Sequence, residues 1–432
     1  MDSGTHSIED GVNLLKQLED ILRTDPLIDE LGFVHPSQFE QLNKGINEFS
    51  ANLSIQLDEN VFWFKDHKLA ISVLALRPLY EAAKEAFMEV RSAYDVEINL
   101  KGKFHEAAKC ISLEPENNST TGSDVHLLEG KMMRHSKALL LLSCDFATAW
   151  NSRKQILLGR QNFSLIIEEF NLSALVLSYS PKSEQAWNHR RWLVKLVGER
   201  FQNLQDMLQK ESELVERICE KSKMNYRAWC YRGWLVPYKK KEQVLNELDH
   251  TRKWAELHVA DNSCFHYRRI LLLRLMMEDK VHQKKCSVDG AYGNSDFHST
   301  WKAELDWNMM LINLYSGREA LWVHRRFLAY QWITRCGNQS NKVHAFLKDE
   351  LQLVHACLNI SDSGFGDNRT QGAHAASYFL YIFKQVPRSE QADLQDKLGK
   401  LPDLSVLLNE VWPERSELWK DLLLSNFIAA DV

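Results

Sequence analysis

Ser180-Pro181-Lys182-Ser183-Glu184-Gln185-Ala186-Trp187-Asn188-His189-Arg190-Arg191 is the stretch from which the organisation of this chain can be read. A polar, proline-bearing turn leads into a run that places Trp187, Arg190 and Arg191 at i, i+3 and i+4, on one face of a helix. The same pairing of an aromatic with an arginine three positions later recurs at Trp150 and Arg153, Trp229 and Arg232, Phe265 and Arg268, and Trp322 and Arg325. Successive aromatics stand 37, 42, 36 and 57 residues apart. The last interval contains a polar, glycine-bearing insert at about 280–300, and subtracting roughly 20 residues for it restores a helix-pair period.

Each unit follows one plan. An apolar-periodic helix over 163–177, 212–219, 244–257 or 303–314 precedes a short polar turn, and the turn precedes the helix bearing the aromatic and the arginine. A lone hairpin of this kind cannot bury both its faces, so the units are expected to stack. The expected fold class is all-α, an α-α superhelix built as a solenoid of helical hairpins. Three regions are expected: an N-terminal helical extension over 1–125 with a flexible loop near 113–124, five repeats over 126–335, and degenerate repeats with a C-terminal cap over 336–432. In the last region 361–372 reads as a loop, 374–384 as a decayed repeat helix, and Trp419 keeps its place while Leu422 stands where an arginine belongs.

Composition agrees with helix. The 432 residues hold only 9 Pro and 18 Gly, against 13 Trp. A net charge of -5, with both signs mixed along the chain, gives no reason to expect a nucleic-acid or membrane-surface partner. The 8 Cys include no C-x-x-C pair, which points to reduced thiols, a cytoplasmic setting and no metal site made by this chain. No apolar run reaches the roughly 18 residues of a membrane span. The last four residues, Ala429-Ala430-Asp431-Val432, lack the cysteine of a prenylation box, so the chain is not expected to be lipidated itself.

The repeated aromatics and arginines are read as scaffold. A residue returning to one inward position in every unit is architecture: the ring anchors stacked helices, and the arginine can pair with a carboxylate of a neighbouring hairpin. His189, His266 and His324, which recur within the motif, are read as structural hydrogen-bonding groups.

The five segments resemble the repeats of protein prenyltransferase α subunits, in which a hydrophobic helix is paired with a helix bearing W-x-x-R. The 180–191 stretch resembles the family's P-K-N-Y-x-x-W-x-H-R-R segment, and Lys223-Met224-Asn225-Tyr226-Arg227-Ala228-Trp229 resembles its N-Y-H-A-W segment. The resemblance implies an α-type subunit of a heterodimeric prenyltransferase, inactive alone, whose β partner holds zinc and most of the isoprenoid pocket. The partner implied is a β subunit of the Rab geranylgeranyltransferase type, with geranylgeranyl transfer to cysteine thiols of acceptor proteins and an isoprenoid diphosphate as co-substrate. By motif match Lys182 and Tyr226 would contact the diphosphate as it leaves, and Gln185 and Arg227 would contact substrate. Glu184 departs from the family's Tyr and Arg227 from its His; an acid beside a diphosphate is unfavourable unless it turns away or pairs with Arg227. The competing reading is a non-enzymatic helical-repeat adaptor that holds a protein partner on its concave face.

Overall fold

Helix initiation in the repeats is written into the turns. Ser183 Oγ accepts from Ala186 N at 3.3 Å, Asn225 Oδ1 from Ala228 N at 3.2 Å, and Asp261 Oδ1 from Ser263 N at 2.8 Å. Each residue caps the helix that carries a buried aromatic, satisfying backbone N–H groups that would otherwise lack partners. The computed structural model describes residues 3–39, 41, 61–111, 119–160, 162–201, 204–286, 296–336, 340–359, 367–386 and 404–427.

By contact density the chain divides into two compact units, residues 1–231 and 232–432. The first unit opens with α1 (Ser3–Thr24), β1 (Glu30–Val34), β2 (Phe62–Lys65), β3 (Lys68–Ser72), α2 (Leu76–Ile111) and α3 (Ser119–Leu142). Repeat helices follow: α4 (Ala147–Gly159), α5 (Phe163–Tyr179), α6 (Glu184–Arg200), α7 (Leu204–Lys221) and α8 (Tyr226–Leu235), the last running across the division. The second unit continues with α9 (Lys241–Leu257), α10 (Asn262–Cys286), α11 (Asp296–Leu314), α12 (Glu319–Cys336), α13 (Ser340–Leu358), α14 (Asp367–Gln385), α15 (Leu404–Val411) and α16 (Ser416–Phe427). The expected class is what is found: an all-α repeat fold of helical hairpins. Gly317, at φ 72° between α11 and α12, makes a turn that needs a glycine, and its N–H donates to Gln371 Oε1.

Several boundaries differ from expectation. The N-terminal region is not wholly helical: β1 pairs in parallel with β3, and β2 antiparallel with β3, in the order β1-β3-β2. Asp66 and His67, both at positive φ (50° and 61°), form the two-residue turn between β2 and β3. The sheet leans on α5, with Leu31 N donating to Ser178 Oγ at 3.1 Å and Phe33 edge-on to Tyr179. Lys221, at the end of α7, pairs with Glu30 of β1 at 2.9 Å. Helix replaces much of the three expected loops. α3 begins at Ser119 inside 113–124, α10 runs to Cys286 and α11 starts at Asp296 inside the 280–300 insert, and α14 starts at Asp367 inside 361–372. The rest of those three stretches lies outside the described residues.

Candidate functional site

Every repeat aromatic is buried: Trp150, Trp187, Trp229 and Trp322 at 1% exposure and Phe265 at 0%. The arginines three residues on are buried too, and each meets a glutamate of the following helix: Arg153 with Glu169, Arg190 with Glu211, Arg232 with Glu247, Arg268 with Glu304, and Arg325 with Glu350. Most of these arginines also donate Nη1 to a backbone carbonyl, as Arg190 does to Phe170 O at 2.6 Å and Arg325 to Leu305 O at 2.7 Å. A third group then closes on each carboxylate from the next motif: His189, Tyr231, Tyr267, His324 and Tyr378. One arginine, one glutamate and one His or Tyr therefore tie consecutive helices together in each repeat.

This triad fixes protonation states. Burial opposes ionisation of Glu169, but Arg153 and then His189 outweigh it and hold the carboxyl at about 2. Burial likewise keeps His189 and His324 below the usual imidazole value. A neutral imidazole facing an ionised carboxylate must donate from Nε2, which leaves Nδ1 bare, and Nδ1 of both rings is buried without a partner. His266 does not share the role. It lies exposed, one position out of phase, and Tyr267 takes the inward place. Sequence reasoning missed the glutamates and the tyrosines, though a signal was there: four of the five His or Tyr groups lie 20 residues after their glutamate.

The expected substrate-contacting residues sit outside this core, at the heads of α6 and α8 in the first unit. Pro181 O accepts from Trp187 Nε1 at 3.1 Å and from Asn225 Nδ2 at 2.8 Å. Asn225 thus caps α8 and also pins the turn before α6, which brings the neighbourhoods of Lys182 and Tyr226 together across 44 residues of sequence. Lys182 is exposed, with no ion pair among the described residues. Tyr226 is 62% exposed, and the hydrogen-bonded Cys230 thiol one turn on pushes its phenol above the usual value, so at neutral pH the group is a protonated donor. Met224, at φ 54°, makes the sharp turn ahead of them. Arg227 Nη1 donates to Glu184 Oε2 at 2.7 Å, so Arg227 is engaged by the very acid that would repel an anion here. Gln185 is half-buried in the first turn of α6.

An exposed ammonium, an exposed phenol and the N-termini of two helices whose turns are joined at Pro181 O are each groups that favour an anion. Among the described residues no group of three or more His, Cys, Asp or Glu side chains is placed to hold a metal ion, and no helix is long and apolar enough to cross a membrane.

Residues 166–197, 208–238 and 244–275 match the family described as Protein prenyltransferase alpha subunit repeat. Over these residues the chain carries protein prenyltransferase α-subunit repeats. These three matched segments span the hairpins of Trp187, Trp229 and Phe265, and the buried triads at Arg153 and Arg325 extend the same construction to either side. Protein prenyltransferase alpha subunit repeat-containing protein 1 of Homo sapiens is 31% identical over 231 residues, covering 44% of this chain and 57% of that protein. Its counterpart in Danio rerio is 32% identical over 232 residues, covering 46% and 54%. Geranylgeranyl transferase type-2 subunit alpha of Rattus norvegicus is 27% identical over 155 residues, covering 34% and 26%. The chain thus spans about half the length of the α-subunit repeat-containing relatives it matches.

Proposed function

We propose that this prenyltransferase α-repeat chain is the α-type subunit of a heterodimeric protein prenyltransferase, most closely of the geranylgeranyl type. It would pair with a β subunit like that of the type-2 geranylgeranyl transferase and act in the cytoplasm on cysteine thiols of acceptor proteins. The observation that supports this reading is the double hydrogen bond to Pro181 O, which ties the turn carrying the exposed Lys182 to the head of the helix that begins at the exposed Tyr226. Zinc, supplied by the partner, would activate the acceptor thiol. This chain's own share is electrostatic. As the bond between the isoprenoid's allylic C1 and the diphosphate breaks, negative charge gathers on the leaving diphosphate. An ammonium at Lys182 and a phenolic donor at Tyr226 would stabilise that charge more than they stabilise the bound ground state. The Arg227–Glu184 pair cancels the acid's charge at the edge of the site.

Lys182→Ala, assembled with the β subunit, should lower the prenyl-transfer rate by about 10- to 1,000-fold, in the range of lost charge-stabilising donors. Assembly of the heterodimer should be unchanged, since the side chain is exposed and carries no packing. Transfer at the parental rate would remove Lys182 from the reaction. Absence of any β partner for the parental chain would favour the adaptor reading instead.

A further inference from the structure

The second unit holds a cavity of about 170 Å³ between α12, α14 and the turn that leads into α16. We infer that it is a binding site for a phosphate monoester dianion, built from Arg326, Arg415, Lys384 and His374 and separate from the Lys182 surface. Arg326 follows Arg325 in the repeat motif yet lacks what Arg325 has. Where Arg325 grips Glu350, the hydrogen bond of Arg326 among the described residues goes to the Ser377 hydroxyl, at 2.6 Å, and its Nε is buried without an acceptor. Burial, with a smaller push from Arg415, depresses its basicity, and the opposing pull of Tyr381, Glu319 and Tyr378 does not make up the difference.

The rest of the lining repeats that imbalance. Arg415 lies over the Trp412 ring at 5.6 Å and Arg326 over the Tyr381 ring at 5.7 Å, so two aromatic walls support the two guanidiniums. His374, 7% exposed and with its ring tilted against that of Trp412 at 4.9 Å, makes no hydrogen bond among the described residues. Burial, then Arg326 and Arg415, hold it neutral with a pKa of about 4. With His374 uncharged, three cations and one acid, Glu319, line the cavity, and Glu414 pairs with Arg415 at 3.8 Å from outside the lining, so the balance stays positive. Three cationic donors suit the three acceptor oxygens of a phosphate monoester better than the two of a carboxylate. The cavity is smaller than the roughly 300–1,000 Å³ of drug-sized pockets, which suits a phosphoryl group on a short stem.

Calorimetry on the full chain with phenyl phosphate, inorganic phosphate and benzoate tests this. Saturable binding of phenyl phosphate is expected, with benzoate about tenfold weaker or worse, because charge-assisted hydrogen bonds are lost. If inorganic phosphate binds as well as phenyl phosphate, the site reads the free ion; if it binds more weakly, the site reads an ester, and either supports the phosphoryl assignment. Arg415→Ala, at an exposed position, should weaken phenyl phosphate binding about tenfold with an unchanged melting temperature, and Arg326→Met should do so at least as strongly. Lys182→Ala should bind phenyl phosphate as the parent does, which separates this cavity from the proposed diphosphate surface. No saturable binding, equal affinity for benzoate, parental affinity in Arg415→Ala, or loss of binding in Lys182→Ala would each overturn the inference.

Discussion

Glu211 shows what a single residue does in this architecture. Its carboxylate is 3% exposed, and it accepts two bonds from Arg190 and one from Tyr231. Removing two charges from water costs several kcal/mol per ion, and their attraction offsets this only when the remaining hydrogen-bonding capacity is filled. Here it is filled, because Arg190 Nη1 also reaches Phe170 O and Ser173 Oγ at 2.6 and 2.9 Å. Glu211→Ala leaves the guanidinium buried alone and should cost about 3–5 kcal/mol in urea unfolding. Glu184→Ala breaks an exposed pair and should cost no more than about 1 kcal/mol.

The same residues set the response to acid. Glu169 and Glu247 are both held at about 2 when folded against 4.5 in the free side chain. A depressed carboxyl pKa gives stability that is complete above about 4.5 and is lost as pH falls toward 2. His374 titrates at about 4 when folded against 6.5. An unfolded chain therefore takes up that proton first, and stability falls between pH 6.5 and 4 by about 3 kcal/mol from this group. Melting temperature followed against pH should decline in both windows, and His374→Asn should flatten the upper one.

At the scale of elements, the helical hairpins were legible because Trp and Arg at i and i+3 mark one face repeatedly and the turns carry Ser, Asn, Asp, Pro and Gly. The sheet was not. β3 shows no polar alternation, since Leu69, Ala70, Ile71 and Ser72 are all buried, and the Asp66-His67 turn lacks the Asn-Gly that announces a two-residue hairpin. The loops near 113–124 and 280–300 were read from polar composition, yet polar residues are acceptable on exposed helix faces, and helix enters both stretches. In the candidate site, Lys182 and Tyr226 could be named from motif, but the bond that unites them could not, because Asn225 and Pro181 are distant in sequence. Asn225→Ala removes both the α8 cap and that bond. It should lower stability by about 1–2 kcal/mol, read from the melting curve, and reduce transfer in the assembled enzyme although Asn225 itself is buried. Parental transfer at undiminished stability would show that the two turns need no clasp.

At the scale of the whole molecule, each compact unit is held by the same Arg–Glu–His/Tyr triads, and the segments that match the prenyltransferase α-subunit repeats lie among them. The proposed activity would belong to a larger object, a heterodimer, in which this chain would supply Lys182 and Tyr226 and the partner the thiol chemistry. The most direct measurement mixes the purified chain with a type-2 geranylgeranyl transferase β subunit and follows labelled geranylgeranyl diphosphate into the proteins of a cell extract. The account predicts a stable 1:1 complex and label transfer to protein thiols that neither subunit gives alone. A chain that forms no complex with that or any other prenyltransferase β subunit, or a complex that transfers no label, would contradict it.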